Sequence, residues 1–587
     1  MRFEKLLPAN SKRRAVIKNF YENHIAKYSE EERRYFKWIK QNEPNQIMLE
    51  KQRKTKFEIM PKISILVPVY NTPQNFFEEL VKSLQNQTYP NWELCLADGS
   101  PEPIAYMQEY PKKDKRIKYK IIGENKGISG NTNEALTLAT GDFIGLLDHD
   151  DLLPIFSLYE VVKAINENPE VEFLYSDEDK LEASDKPRYG VFFKPDFSPY
   201  TLNSANYICH FSIFKKELMD KLGGFRSEYD GSQDFDIVAR ASELTNNIVH
   251  IPKVLYHWRA HRNSTASNSD SKPYAFEVGK KVIKDHIKRS LGKEVTVEDG
   301  LTPGSYEVKY PVAGNPKVSI ILDARKAHKE KIEKILEELK NITYKNIEMI
   351  FIKDEKNANQ LECFENVMKE TIIAKENKFE AFNQAIQKAT GEYIIIIDRR
   401  LRKIDKSDSI EQLLGIAQDE TVGIVGTKLY NKNNVIEHSG IILGMNGTGD
   451  FLYRGAPKDA GTYMQRLLII HNLTCVYTKY ALIKKELFEK VNGFATEYIG
   501  ELASIDYSLK MQELGKQVII NPIVTFCVDK LSDATQLKEQ IEPFKTKWKK
   551  YYNQGDRFFS PNLSKKHTGL AINVDSRGTV PEVTTNG

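Results

Sequence analysis

Ile63-Ser64-Ile65-Leu66-Val67-Pro68-Val69-Tyr70 is an apolar, β-rich run ended by Asn71-Thr72-Pro73. Farther on, Phe143-Ile144-Gly145-Leu146-Leu147 runs straight into Asp148-His149-Asp150-Asp151. Both read as buried strands that stop at a turn. Between them lie a helix over Phe76–Gln85, a strand over Trp92–Ala97 ending in Asp98-Gly99-Ser100, and a helix over Asn131–Thr140. Strand, helix, strand, helix with continuously apolar strands predicts an α/β fold, an open and mostly parallel Rossmann-like sheet covered on both faces. Ligands of such sheets sit at the carboxyl ends of the strands, where Asp98 and the Asp148 cluster fall.

The same order of signals comes twice. Lys317-Val318-Ser319-Ile320 echoes Lys62-Ile63-Ser64-Ile65, and Tyr344-Lys345-Asn346-Ile347-Glu348 echoes Tyr89-Pro90-Asn91-Trp92-Glu93. Ala389-Thr390-Gly391 echoes Ala139-Thr140-Gly141, and Asn492-Gly493-Phe494 echoes Gly223-Gly224-Phe225. Two copies of one domain follow. The chain divides into a basic helical arm (1–60), a first domain (61–291), a linker (292–316), a second domain (317–550) and a tail (551–587).

A chain of 587 residues exceeds one ordinary core, which agrees with two domains. A net charge of +4 excludes a bulk nucleic-acid role. Cys95, Cys209, Cys363, Cys475 and Cys527 are scattered in no metal-ligand spacing, as a reducing compartment permits. No signal peptide is visible and no apolar run approaches the roughly 20 residues of a membrane span, so a cytoplasmic location is expected. The arm is rich in Lys and Arg and carries Phe20, Tyr21, Tyr35, Phe36 and Trp38. It can either dock on an anionic membrane surface or pack on its own domain.

Two carboxylates one residue apart at a strand end, Asp148 and Asp150, can hold Mg²⁺ or Mn²⁺ and leave positions open for diphosphate oxygens. Asp98 is suited to a base or ribose. Gly231-Ser232-Gln233-Asp234-Phe235-Asp236 opens a helix, and a carboxylate there can take a proton from an attacking hydroxyl. Tyr256-His257-Trp258-Arg259-Ala260-His261-Arg262 offers histidines to a metal and arginines to phosphate oxygens. No G-x-G-x-x-G or phosphate-binding loop is present, which disfavours a dinucleotide oxidoreductase.

The order Pro68-Val69-Tyr70-Asn71, Asp98-Gly99-Ser100, Leu147-Asp148-His149-Asp150-Asp151, Gln233-Asp234, Tyr256-His257-Trp258-Arg259 resembles the GT-A fold glycosyltransferases of family 2. Tyr175-Ser176-Asp177-Glu178-Asp179-Lys180, together with the Gln233 and His257 motifs, is further similar to large bacterial enzymes of O-antigen and cell-wall rhamnan assembly. The resemblance implies two tandem GT-A domains and an inverting, metal-dependent transfer. Pro68, Tyr70 and Asp98 would then hold the nucleotide. Asp148 would contact ribose or metal, and Asp150 and His257 the metal, with His261 the rival of His257. Arg259 would hold the diphosphate, and Asp234 would be the general base, although the residue before it is Gln233 where the family carries Glu. The implied partners are a nucleotide-sugar donor (dTDP-L-rhamnose first, UDP-sugars behind it) and a lipid-linked oligosaccharide acceptor at the inner face of the cytoplasmic membrane. A second copy of the chain is a further candidate partner.

The second half departs at each catalytic position. Arg400 stands for Asp150, Ser504 for Asp234, Cys527 for His257, and Asp323-Ala324-Arg325 for Pro68-Val69-Tyr70. A guanidinium repels a cation, so the second domain is expected to keep the fold without the chemistry. The rival readings are a bifunctional polymerase with two sites and a non-catalytic glycan-binding scaffold.

Overall fold

The computed structural model describes residues 28–183, 186–261, 273–357, 370–373, 378–531, 538–566 and 568–574. Phe20, Tyr21, Arg262 and Cys363 lie outside these. The first sheet contains β1 (Ile63–Val69), β2 (Trp92–Asp98), β3 (Ile117–Ile121), β4 (Phe143–Leu146), β5 (Phe173–Leu181), β6 (Tyr189–Phe192), β7 (Ser212–Lys215) and β8 (Ile248–Arg259). Their order is β3-β2-β1-β4-β7-β5-β6, with β8 also paired to β5. β1 to β4 run parallel, β7 is antiparallel to both neighbours, and β8 runs parallel to β5. β2 is buried at every position, which is why its sequence shows no polar alternation.

The second sheet repeats this layout. Its strands run 370–373, 347–353, 318–323, 393–398, 482–484, 422–430, 517–528 and 401–404 in space. Ile63 pairs with Phe143 and Val318 with Tyr393, so Asp398 occupies the place of Asp148 and Arg400 that of Asp150.

The sequence echoes have a common physical cause. Ser64 Oγ donates to Glu93 at 2.7 Å, while the Gly141 and Thr140 N–H groups donate to Ser64 Oγ and Glu93 at 2.9 and 2.6 Å. Ser319, Glu348, Gly391 and Thr390 build the same network at 2.5, 2.9 and 2.6 Å. A Cβ on Gly141 would sit 2.5 Å from the Lys62 carbonyl oxygen, so glycine is required there. This network also ends the preceding helix early. It spans Gly127–Leu136 rather than reaching Thr140, because residues 140 and 141 give their N–H groups to side chains. Likewise Asn133 makes two bonds with the Phe225 backbone and Asn383 makes two with that of Phe494.

The linker is folded. Thr296–Asp299 and Tyr306–Lys309 form an antiparallel hairpin, and Tyr310 packs on Tyr200 at 5.9 Å. Tyr200 crosses to the second domain, donating its hydroxyl to Asp419 (2.7 Å) and its N–H to Asn472 (2.9 Å). One apolar core therefore runs through both domains.

The arm packs inward. Helix Glu30–Asn42 starts at a Ser29–Glu32 capping box and buries Tyr35 and Trp38. Trp38 lies 4.9 Å from Phe193 and donates from Nε1 to Asn562 at 3.2 Å. Of the aromatics considered for membrane docking, these two belong to the core. Trp38→Ala is expected to cost about 3–5 kcal/mol, the range for emptying a buried aromatic site. A thermal or urea melt checks it, and an unchanged midpoint would place the arm outside the cooperative unit. Among the described residues, no helix is long and apolar enough to cross a membrane.

The tail continues the packing. Asp556 accepts from Thr474 (2.6 Å) and from the Leu443 N–H (2.8 Å), and the Arg557 carbonyl accepts from the Asp196 N–H at 2.9 Å. Asn562 donates to Asp177 at 3.2 Å and to the Pro252 carbonyl at 3.0 Å.

Candidate active site

A cleft of about 1070 Å³ opens at the carboxyl edge of the first sheet. Pro68 and Tyr70 from the end of β1, Asp148, His149 and Asp150 after β4, and Asp234 from helix Gln233–Leu244 all line it. His261 lines it too, one turn of chain beyond β8.

β8 holds the acidic loop in place. Asp151 is buried, with Oδ1 accepting from the Arg259 N–H at 2.7 Å and Oδ2 from the Tyr256 hydroxyl at 2.5 Å. Leu152 and His257 exchange backbone bonds at 3.2 and 2.9 Å. Burial, with repulsion from Asp150 and Asp148, pushes the Asp151 carboxyl well up, and burial with repulsion from Asp150 raises that of Asp148 against the pull of His210.

Two expectations are corrected by the alternation of a strand, whose successive side chains point to opposite faces. Tyr256 and Trp258 face the cleft. His257 and Arg259 therefore face away. His257 Nδ1 bonds Asp179 at 2.5 Å, and its ring meets the Arg188 guanidinium at 3.3 Å. The Arg259 guanidinium is buried, bonded to Glu79 (2.7 Å) and to the Asp150 carbonyl (2.5 Å), and stacked on Phe76. It braces the loop from behind instead of clamping a phosphate. The strand ends at Arg259, and this frees His261 to turn back: its Nε2 lies 2.8 Å from Asp150 Oδ2.

Asp98 is also taken up locally. Its carboxylate accepts from the Ser100 and Ile104 N–H groups (2.9 and 3.0 Å) and from the Tyr119 hydroxyl, and it fixes the loop beside the cleft without lining it.

Asp234 Oδ2 accepts from Asn206 at 2.8 Å, and among the described residues no partner is recorded for Oδ1. Asp236, one acidic residue on, is buried between Arg226 and Arg240 (3.1 and 2.9 Å), so it anchors the helix. Asp506 repeats this bond to Lys510 at 3.1 Å, which fixes Ser504 at the place of Asp234. Cys527 pairs with Tyr430 as His257 pairs with Asp179.

His210 was not singled out by the sequence. It lines the cleft, stacks on Tyr256 at 4.5 Å and faces Glu178 at 3.3 Å. Burial opposes its protonation, but Glu178, Asp148 and Asp151 outweigh this and lift it to about 9. It lies in the loop before β7, and neither periodicity nor spacing marks it. Donor atoms of Asp148, Asp151 and His210 fall within 4.8 Å of one another. Both oxygens of Asp151 are already bonded, whereas Asp150 and His261 meet at 2.8 Å on the cleft wall.

The family model for glycosyl transferase family 2 matches residues 64–223 and 319–491, more than half of the chain. The chain is similar to the uncharacterized protein y4gI of Sinorhizobium fredii, 32% identical over 87% of this chain and 58% of that one. It is 29% identical to the O-antigen biosynthesis protein RfbC of Myxococcus xanthus, over 83% of this chain and 38% of that one. A Campylobacter jejuni GalNAc(5)-diNAcBac-PP-undecaprenol beta-1,3-glucosyltransferase is 32% identical over 30% of this chain and 58% of its own. The chain thus spans less than two thirds of these relatives. With the match falling once on each sheet, the chain belongs to glycosyl transferase family 2 and carries the family's GT-A fold twice.

Proposed function

We propose that the first domain transfers a sugar, with inversion, from a nucleotide donor to a growing surface polysaccharide, and that the second domain is non-catalytic. One observation carries the reading. The cleft is lined by Asp148, Asp150, Asp230 and Asp234, with no lysine or arginine among the described lining residues. Against these four carboxylates, His210 alone is too little positive charge for a nucleoside diphosphate, which needs a further counter-charge there. The oxygen and imidazole donors of Asp148, Asp150 and His261 suit Mn²⁺ or Mg²⁺. When bound, such a cation neutralises charge on the departing diphosphate.

The chain's own residues supply the rest. Pro68 and Tyr70 flank the donor, and Asn206 fixes Asp234 by one oxygen so that the other can take the proton of the acceptor hydroxyl. Base and leaving group are then handled by separate elements, as a single displacement requires.

The name of RfbC supports polysaccharide assembly, and that of the Campylobacter enzyme supports a lipid-linked acceptor. L-rhamnose from dTDP-L-rhamnose is the first donor to test. Contact with the inner membrane face is supported by helix Gln46–Lys54, which exposes Ile47 (78%) and Met48 (51%) and ends in Lys51, Arg53 and Lys54.

The deciding experiment is a panel of nucleotide sugars read by released nucleoside diphosphate, with and without Mn²⁺. Turnover of one donor, lost in EDTA and restored by excess metal, is expected. Full activity in EDTA would remove the metal from the reading, and no turnover of any donor would favour a binding protein.

A further inference from the structure

The carboxyl edge of the second sheet carries the opposite charge from that of the first. Asp398, at the place of Asp148, receives Lys479 Nζ at 2.6 Å, the Arg400 guanidinium at 2.6–3.1 Å and the Tyr480 hydroxyl at 2.9 Å. Asp323, at the place of Pro68, pairs with Arg325 at 2.7 Å and lies 3.7 Å from Lys479. Arg399 is exposed beside them. Three cationic side chains, Lys479, Arg400 and Arg325, thus meet two carboxylates where the first domain gathers carboxylates around its cleft, and Arg399 adds an exposed charge at the next position.

The lysine holds its charge. Burial is the strongest single influence and works against its charge, but Asp398, Tyr477 and Asp323 together outweigh it and raise Lys479 above the usual lysine range. Burial would also raise Asp398, yet Lys479 and Arg400 hold it well below the usual carboxylate range.

A second observation lies next to this cluster, on the far side of Tyr477. Arg400 Nη2 reaches the Tyr477 hydroxyl at 3.4 Å, and the Tyr477 ring lies 5.6 Å from His438. His438 Nε2 accepts from the Gly440 and Tyr477 N–H groups at 3.4 Å, which places the proton on Nδ1. That buried Nδ1 has no acceptor, and the neighbouring buried Ser439 Oγ has no partner either. These unmet donors lie one ring, Tyr477, away from Arg400, and unmet donors near a cation suit an anion's oxygens.

We propose that this edge of the second domain is a metal-independent binding site for a diphosphate group, with Lys479 and Arg400 standing where the first domain needs a divalent cation. The ligand is the diphosphate of a lipid-linked acceptor or of a nucleotide, gripped by Arg399 and Arg400. The proposal rests on the reading that the second domain does no chemistry. The two fail separately, because donor turnover tests the first domain and binding in EDTA tests the second.

The test is calorimetry of the full chain in excess EDTA with inorganic pyrophosphate, UDP, and a short prenyl diphosphate in detergent. Saturable pyrophosphate binding is expected, unchanged in Asp150→Ala and weakened at least about tenfold in Arg400→Gln and in Arg399→Glu, the scale of one lost charge-assisted bond. Arg399 is exposed, so its variant folds even where the Arg400 variant is destabilised. Tighter binding of the prenyl diphosphate than of UDP assigns the lipid head, and the reverse order assigns the nucleotide. No binding in EDTA, or binding that Arg399→Glu leaves intact, overturns the site.

Discussion

Asp150→Ala is expected to lower sugar transfer by at least about 10²–10³-fold, the scale on which one electrostatic partner of developing charge is lost. Asp150 is the loop carboxylate that combines a place on the cleft with an imidazole partner, His261, at 2.8 Å. Asp151 cannot replace it, because its oxygens are held by Tyr256 and the Arg259 N–H. The same geometry separates the two histidines. His261→Gln should raise the Mn²⁺ concentration needed for half-maximal rate. His257→Gln should leave that concentration alone and instead lower the melting temperature, since it strips Asp179 of a buried partner. A metal requirement that follows His257 and ignores His261 would overturn the assignment.

Asp234→Asn should reduce turnover by roughly 10²–10⁴-fold, the loss that accompanies removal of a general base. The amide keeps the size and can still meet Asn206, so donor affinity should change by far less. Asp236→Asn serves as the contrast. It breaks contacts to Arg226 and Arg240, and its effect should appear as lost stability with the rate per folded molecule retained. Near-normal turnover in Asp234→Asn, or a collapse of donor affinity, would move the base elsewhere.

The tandem fold was legible because its signals are local and redundant. Apolar runs ended by Asp98 and Asp148 mark strand ends, and Ser64, Glu93, Thr140 and Gly141 recur because one buried network recurs. The cleft positions of Asp150 and Asp234 were legible for the same reason, each lying beside a recognisable strand end or helix start. His257 and Arg259 were misplaced, although strand alternation was available: with Tyr256 and Trp258 on the cleft, their neighbours had to face away. Asp98 stands beside the cleft instead of lining it because its partners come from a loop and from Tyr119 on the next strand, which the sequence around it does not display. His210 could not be found at all. Its position depends on Glu178, Tyr256 and Asp148 converging from three separate strands or their ends.

The Asn562 side chain has a consequence for how the molecule is made. Two of its partners, Trp38 and Asp177, precede it by 524 and 385 residues, so helix Glu30–Asn42 and β5 leave the ribosome long before it does. Until then the arm is held on the first domain by Tyr35 and Trp38 against Phe193 and by Glu43 on Arg188, without the Asn562 clasp, and Tyr200 waits for Asp419 and Asn472. Vectorial synthesis therefore yields a first domain that is folded in outline but unsealed, with apolar surface open to chaperones or to a neighbouring nascent chain. Closure comes as a late, whole-chain event governed by long-range contacts. Pulse proteolysis of ribosome-bound chains halted before and after Asn562 should find the arm cleavable in the first and protected in the second.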